Sequence, residues 1–134
     1  PGRILERAAY FRDVAERDAE GCYRIVGRLK ELVVSGGENV YPAEVEDVLH
    51  AHPAVVEAAV VGVPDERWGE RPLATVVLRE GMTATAEELH DFLGATVARW
   101  QLPERWAFIE AVPKTSVGKF DKKRVRASYA EGTL

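Results

Sequence analysis

Gly27-Arg28-Leu29-Lys30-Glu31-Leu32-Val33-Val34-Ser35-Gly36-Gly37-Glu38-Asn39-Val40-Tyr41-Pro42-Ala43-Glu44-Val45-Glu46 changes its pattern midway, from a β-branched apolar run to a helical spacing. Just upstream, Cys22-Tyr23-Arg24-Ile25-Val26 is rich in strand formers, and Gly27-Arg28 separates it from Leu29–Val34. A β-hairpin across Gly27-Arg28 is the simplest expectation. Ser35-Gly36-Gly37-Glu38-Asn39 then reads as a loop of residues that tolerate positive φ. Adjacent glycines also let a ligand come close to the backbone. Pro42 suits a first helical position, and Val45, Val48 and Leu49 follow on one face of a short helix ending near His52-Pro53. Spacing alone is satisfied by a hairpin, a glycine turn and a capped helix.

Working outward, Val55–Val63 is β-branched and apolar with one polar break, Glu57, and reads as a largely buried strand. Leu73–Leu78 is a second, and Pro64–Pro72 between them is expected to be a charged loop holding Trp68. Thr85-Ala86-Glu87-Glu88 matches a capping box, with Leu89, Phe92, Leu93 and Val97 forming the apolar face of a helix running towards Arg99. Trp106–Ile109 is a third strand, Pro113–Lys119 a loop, and a basic helix from near Asp121 turns Val125 and Tyr129 inward. At the start, Pro1–Ala9 reads as a short amphipathic piece, followed by a polar turn at Asp18–Gly21. The sum is an α+β domain: a small β-hairpin plus a roughly three-stranded sheet covered by about three helices.

The chain of 134 residues suffices for one core. At 46% hydrophobic and 30% charged it is built to fold rather than to stay disordered. A net charge of −4 without a long basic run gives no reason to expect nucleic acid, and no apolar stretch is long enough for a membrane span. The single cysteine, Cys22, rules out an internal disulfide and a cysteine-based zinc site. No metal ligands are assigned, and the cytoplasm is the expected compartment. Cys22 itself is read as packing.

A second unusual loop is Pro113-Lys114-Thr115-Ser116-Val117-Gly118-Lys119-Phe120. Its Gly-Lys pair fails as a phosphate loop, because Pro113 and Phe120 stand where that motif needs Gly and Ser or Thr. A lone loop lysine is ordinarily a solvated charge.

In this order, the two segments closely resemble the C-terminal domain of the adenylate-forming superfamily, which holds acyl- and aryl-CoA synthetases, firefly luciferase and peptide-synthetase adenylation domains. The likeness covers about Phe11 to Ala130, and Val63-Pro64-Asp65-Glu66-Arg67-Trp68-Gly69-Glu70 is similar to the acyl-CoA ligase branch in particular. The resemblance implies residues 1–27 as the end of a large domain and 28–134 as a mobile C-terminal domain. It also implies roles. Asp13 corresponds to the acid that binds the ribose of ATP, Arg28 to an arginine touching the nucleotide, and Lys30 to the hinge. Ser35, Gly36, Gly37 and Glu38 correspond to the loop lining the pantetheine tunnel, and Trp68 and Trp100 to CoA contacts, though ordinary packing accounts equally well for both tryptophans.

Lys119 resembles the lysine of adenylation. A carboxylate attacking the α-phosphate of ATP brings two anions together, and a mobile ammonium that bridges both oxygens favours the transition state over the ground state. Rotation about Lys30 would then withdraw Lys119 and present the Gly36-Gly37 face for attack by the CoA thiol. The implied cofactors are ATP, CoA and Mg2+, bound mainly by a large N-terminal domain, which is the implied partner together with a carboxylic acid substrate. A lysine acetyltransferase that switches Lys119 off is a further implied partner.

Two features depart from the family pattern. Phe11-Arg12-Asp13 lacks the Thr-Gly pair usual before the aspartate, and Trp100-Gln101-Leu102-Pro103-Glu104 lacks basic residues that some ligases use for CoA phosphates. Phosphate contacts must therefore come from elsewhere. The 134 residues lack the family's acid pocket, so this stretch alone is not expected to catalyse the reaction. The rival expectation is a free-standing, non-catalytic module of the same fold that binds nucleotide, CoA or protein. His50, His52 and His90, with Lys122, Lys123 and Arg124, read as solvated residues.

Overall fold

The computed structural model describes residues 4–8, 13–17, 19–21, 23–28 and 31–134. Lys30, expected at the hinge, and Cys22, expected as packing, lie outside the described residues. Strands β1 (Ile4–Ala8), β2 (Asp13–Arg17) and β3 (Tyr23–Arg28) form one antiparallel sheet in that order. The amphipathic look of the first residues thus belongs to a strand, since Ile4–Ala8 pairs residue for residue with β2 and cross-strand contacts outweigh a local spacing.

The expected hairpin across Gly27-Arg28 is not formed. β3 runs straight through both residues and pairs with β2, Asp13 facing Arg28. The hairpin lies further on, between β4 (Val33–Ser35) and β5 (Glu38–Val40), around Gly36-Gly37. Both glycines have positive φ, +57° and +84°. That is the two-residue turn whose twist matches the strands it joins, and glycine adopts it without steric penalty. Gly27-Arg28 has no such pair of residues.

Helix α1 (Pro42–His50) starts on Pro42 as expected. β6 (Val55–Asp65) and β7 (Gly69–Leu78) then make a long antiparallel ribbon. Its turn is tighter than the expected loop over Pro64–Pro72, because Asp65 Oδ1 accepts from the amides of Arg67 and Trp68 at 2.9 Å each and Gly69 takes φ +82°. The capping box of α2 (Ala86–Gly94) is present: Glu88 N donates to Thr85 Oγ1 at 3.1 Å and Thr85 N to Glu88 Oε2 at 3.3 Å. The helix stops at Gly94, short of Arg99, yet Val97 still packs on the core from the following turn. A single 3-10 turn (Arg99–Gln101) leads to β8 (Arg105–Phe108), which joins β7 in parallel. Helix α3 (Lys122–Ala130) is capped by Asp121, whose side chain accepts from Arg124 N at 3.1 Å.

The second sheet has the order β5-β4-β7-β6, with β8 also on β7. Both faces of its central ribbon are covered. On one side Val55, Ala58, Val60, Ala74 and Val76 pack with Val45, Leu49, Leu89 and Leu93 of α1 and α2. On the other, Ala59, Val61, Val63 and Leu73 meet Val112 and Val125 of the α3 side. Burial on both faces is why β6 reads as a continuous apolar run rather than an alternating one. The α+β class and the three covering helices agree with the sequence reading.

Candidate functional site

Two places carry the chemically unusual residues. In the first, the turn between β4 and β5 abuts the turn between β6 and β7. Gly36 N donates to Trp68 O at 2.8 Å, and Ser35 pairs with Gly69. The indole of Trp68 lies on the backbone at Gly36, where any Cβ would overlap the ring. The Arg67 guanidinium sits 4.7 Å above the centre of that same ring. Asp65, which caps this turn, also takes Arg105 Nη2 at 2.8 Å. Its carboxyl is held below the usual range, chiefly by the bond from the Trp68 amide.

Beside this junction Arg71, with only 11% of its side chain exposed, reaches across to the hairpin. Its Nη1 donates to Ser35 Oγ at 3.0 Å, and its Nη2 to Leu102 O at 3.4 Å and Glu104 Oε1 at 3.0 Å. Its Nε is buried without a hydrogen-bond partner. Trp100 closes the far side, its Nε1 donating to Asn39 O at 3.1 Å. The result is a groove of about 380 Å³ lined by Ser35, Gly36, Glu38, Trp68, Arg71, Arg99, Trp100 and Glu104. Five residues expected from the sequence thus meet in one place, with Gly37 completing the turn. Arg71 and Arg99 were missed. They place two guanidinium groups in the lining of the groove, and the signal for Arg71 was hidden because 64–72 read as loop.

The second place is the loop before α3. Lys114 and Phe120 form an isolated antiparallel bridge. Within it Thr115 N donates to Lys119 O at 2.7 Å and Gly118 N to Thr115 O at 3.0 Å, with Gly118 at φ +86°. Lys119 stands exposed on this closed turn. Behind it, Lys122 Nζ reaches Glu46 Oε2 at 2.8 Å and Glu31 Oε2 at 3.5 Å. Burial pushes the Glu46 carboxyl above its usual range, against the pull of Lys122.

Lys119 does not line the groove. Asp13 and Arg28 belong to the other sheet, where they are register partners across β2 and β3. His50, expected as solvated, is exposed and also accepts from Ala58 N through Nε2 at 3.2 Å, while the half-buried His52 accepts from Ala54 N through Nδ1 at 3.1 Å. Lys122, likewise expected to be solvated, is mostly buried by its two carboxylates. Among the described residues no group of three or more His, Cys, Asp or Glu side chains is placed to hold a metal ion, and no helix is long and apolar enough to cross a membrane.

The family model for the AMP-binding enzyme C-terminal domain matches residues 44–119. The long-chain-fatty-acid–CoA ligase of Thermus thermophilus is 48% identical over 123 residues, covering 90% of this chain and 23% of that protein. The mitochondrial medium-chain acyl-CoA ligase of Rattus norvegicus is 45% identical over 114 residues, 85% of this chain and 18% of its own length. A solved fatty acyl CoA synthetase from Mycobacterium tuberculosis superposes with a TM-score of 0.78 at 41% identity, covering 91% of this chain and 24% of that one. ATP-bound MatB from Rhodopseudomonas palustris superposes at 0.79 with 35% identity, covering 92% of this chain and 24% of that one. The chain spans about a fifth to a quarter of the length of these proteins.

Proposed function

Because the chain belongs to the AMP-binding enzyme C-terminal domain family, we propose that it is the mobile domain of an ATP-dependent acyl-CoA ligase acting on a fatty-acid-type substrate. In this reading residues 28–134 are the mobile domain and 1–27 the end of the large one. The observation that supports it is the segregation of the two loops: the glycine turn and two indoles share one groove, while Lys119 stands elsewhere on a closed loop.

The groove fits an extended chain of amides and methylenes such as pantetheine. Trp68 and Trp100 offer apolar faces, Gly36 leaves the backbone open, and Arg71 Nε is a buried donor awaiting an acceptor. Arg99 and Arg71 supply cationic donors for the anionic end of CoA. When bound, ATP provides an α-phosphorus open to attack and pyrophosphate as leaving group, and CoA provides the thiol that displaces AMP. Lys119 would place its ammonium against the oxygens on which charge builds during adenylation. Asp13 and Arg28, side by side in their sheet, would hold the nucleotide, and Lys30 would be the pivot. Mg2+ we assign to the large domain, since the described residues offer no cluster for it. An acetyltransferase acting on Lys119 would remove the charge that adenylation needs. The cytoplasm is the compartment we assign, on the single cysteine.

The test is Lys119→Ala in the full-length ligase, with the half-reactions assayed separately. Adenylate formation, followed by pyrophosphate release, should fall by about a hundredfold to a thousandfold, the loss typical of one preorganised charge-stabilising group. Thioester formation from supplied acyl-adenylate should persist. Equal loss in both assays would sink the division of labour.

A further inference from the structure

The loop bearing Lys119 is closed by its own hydrogen bonds, and besides the burial of Val112 its root is tied to the domain by a carboxylate from β6. Val112 N donates to Glu57 Oε1 at 3.2 Å, and Lys114 Nζ donates to Glu57 Oε2 at 2.6 Å. Both oxygens of one side chain are thus engaged by the two residues that flank Pro113. Lys114 is also the residue that bridges to Phe120, the neighbour of Lys119, and its ammonium lies 5.6 Å over the Phe120 ring. The chain of contacts runs Glu57, Lys114, Phe120, Lys119.

Glu57 stands just after a β-bulge. Val55 faces Leu78 and Glu57 faces Val77, so Val56 is an extra residue and stands 46% exposed. The bulge puts Val55 on the opposite face, while Glu57 keeps the regular two-residue alternation with Ala59, Val61 and Val63, the face covered by Val112 and α3. Glu57 is the one polar side chain from Val55 to Val63. Its carboxyl is held below the usual range, first by the bond from Lys114, so it is charged where it pairs.

We propose that Glu57 is a positioning residue for adenylation, holding the root of the 113–120 loop so that Lys119 arrives in register with the reacting oxygens. The proposal rests on the reading of Lys119 as the adenylation lysine. A lysine has a long flexible stem, so its ammonium is only as well placed as the backbone beneath it. Misplacement by about 1 Å is enough to cost up to about a hundredfold in rate.

Glu57→Ala, Glu57→Gln and Lys119→Ala are compared in the full-length ligase, in both half-reactions and by hydrogen exchange of the 113–121 segment. Glu57→Ala should lower kcat for adenylate formation by about tenfold to a hundredfold, with KM for ATP little changed. Thioester formation from supplied acyl-adenylate should be preserved, and the amides of Thr115 and Gly118 should exchange faster. Glu57→Gln, which keeps an acceptor but no charge, should fall between. On a Lys119→Ala background Glu57→Ala should cost nothing more. Normal adenylation by Glu57→Ala beside an inactive Lys119→Ala would overturn the positioning role alone. Equal loss in both half-reactions would reduce Glu57 to a fold-stabilising residue. Normal adenylation by Lys119→Ala would instead remove the reading on which the proposal rests.

Discussion

Gly36 and Trp68 are in such close contact that a Cβ built on Gly36 would overlap the indole, with Cζ3 at 2.8 Å. The two turns are locked by that contact and by the bond from Gly36 N to Trp68 O. Gly36→Ala should therefore lose stability by about 2 kcal/mol, since the left-handed backbone alone costs roughly 1–2 kcal/mol in an L-residue. Gly37→Ala, also at positive φ but with nothing within 4 Å of its Cβ, should lose less. Thermal unfolding of the two variants decides it, and equal losses would show that the indole yields freely.

Arg71 should be intolerant even of lysine. Its Nη groups hold Ser35 Oγ and Leu102 O while Nε stays buried and unpaired, a fork that an ammonium cannot reproduce. Arg71→Lys should raise KM for CoA by about tenfold, the worth of one hydrogen bond to a charged group, and leave adenylate formation untouched. An unchanged KM for CoA would take Arg71 out of the binding site.

Glu46 makes a prediction about pH. Burial raises its folded pKa above the unfolded one, so the folded state holds its proton more tightly. The stability it contributes is complete below the ordinary carboxylate range and is lost as pH rises through the raised value. Glu46→Gln should flatten the dependence of the urea midpoint on pH from about 4 upward. An unaltered slope would show that Lys122 already neutralises the burial cost.

Leu49 and Leu93, both at 0% exposure, join α1 and α2 to the ribbon. Either change to alanine should cost about 2–5 kcal/mol, read from denaturant midpoints. A loss under about 1 kcal/mol would mean that the site collapses around the cavity.

How far the sequence carried the reading differs by element. Thr85 and Glu88 announced the start of α2 because both halves of a capping box are local in sequence. Pro42 did the same for α1. The hairpin was misplaced because Gly27-Arg28 and Gly36-Gly37 both look like breaks, and only the latter pair has two residues free to take positive φ. Ile4–Ala8 was hidden because its partner strand, not its own pattern, makes it extended. In the groove, Gly36, Trp68 and Trp100 were legible through a resemblance. Arg71 was not, since its role depends on Ser35 and Leu102, both more than thirty residues away. Glu57 was visible as a polar break, yet its partners, Val112 N and Lys114, lie more than fifty residues away and leave no mark in the local sequence.

The β6–β7 ribbon carries Glu57 towards one end and the Asp65–Gly69 turn at the other. Between Glu57 and Asp65 the strand runs on the order of 25 Å at ~3.3 Å per residue. It is buried on both faces and so behaves as a stiff ruler. Lys119's loop is tied near one mark of that ruler and the groove begins at the other. On the function proposed above, that span would let the two loops serve the reaction centre in turn rather than together.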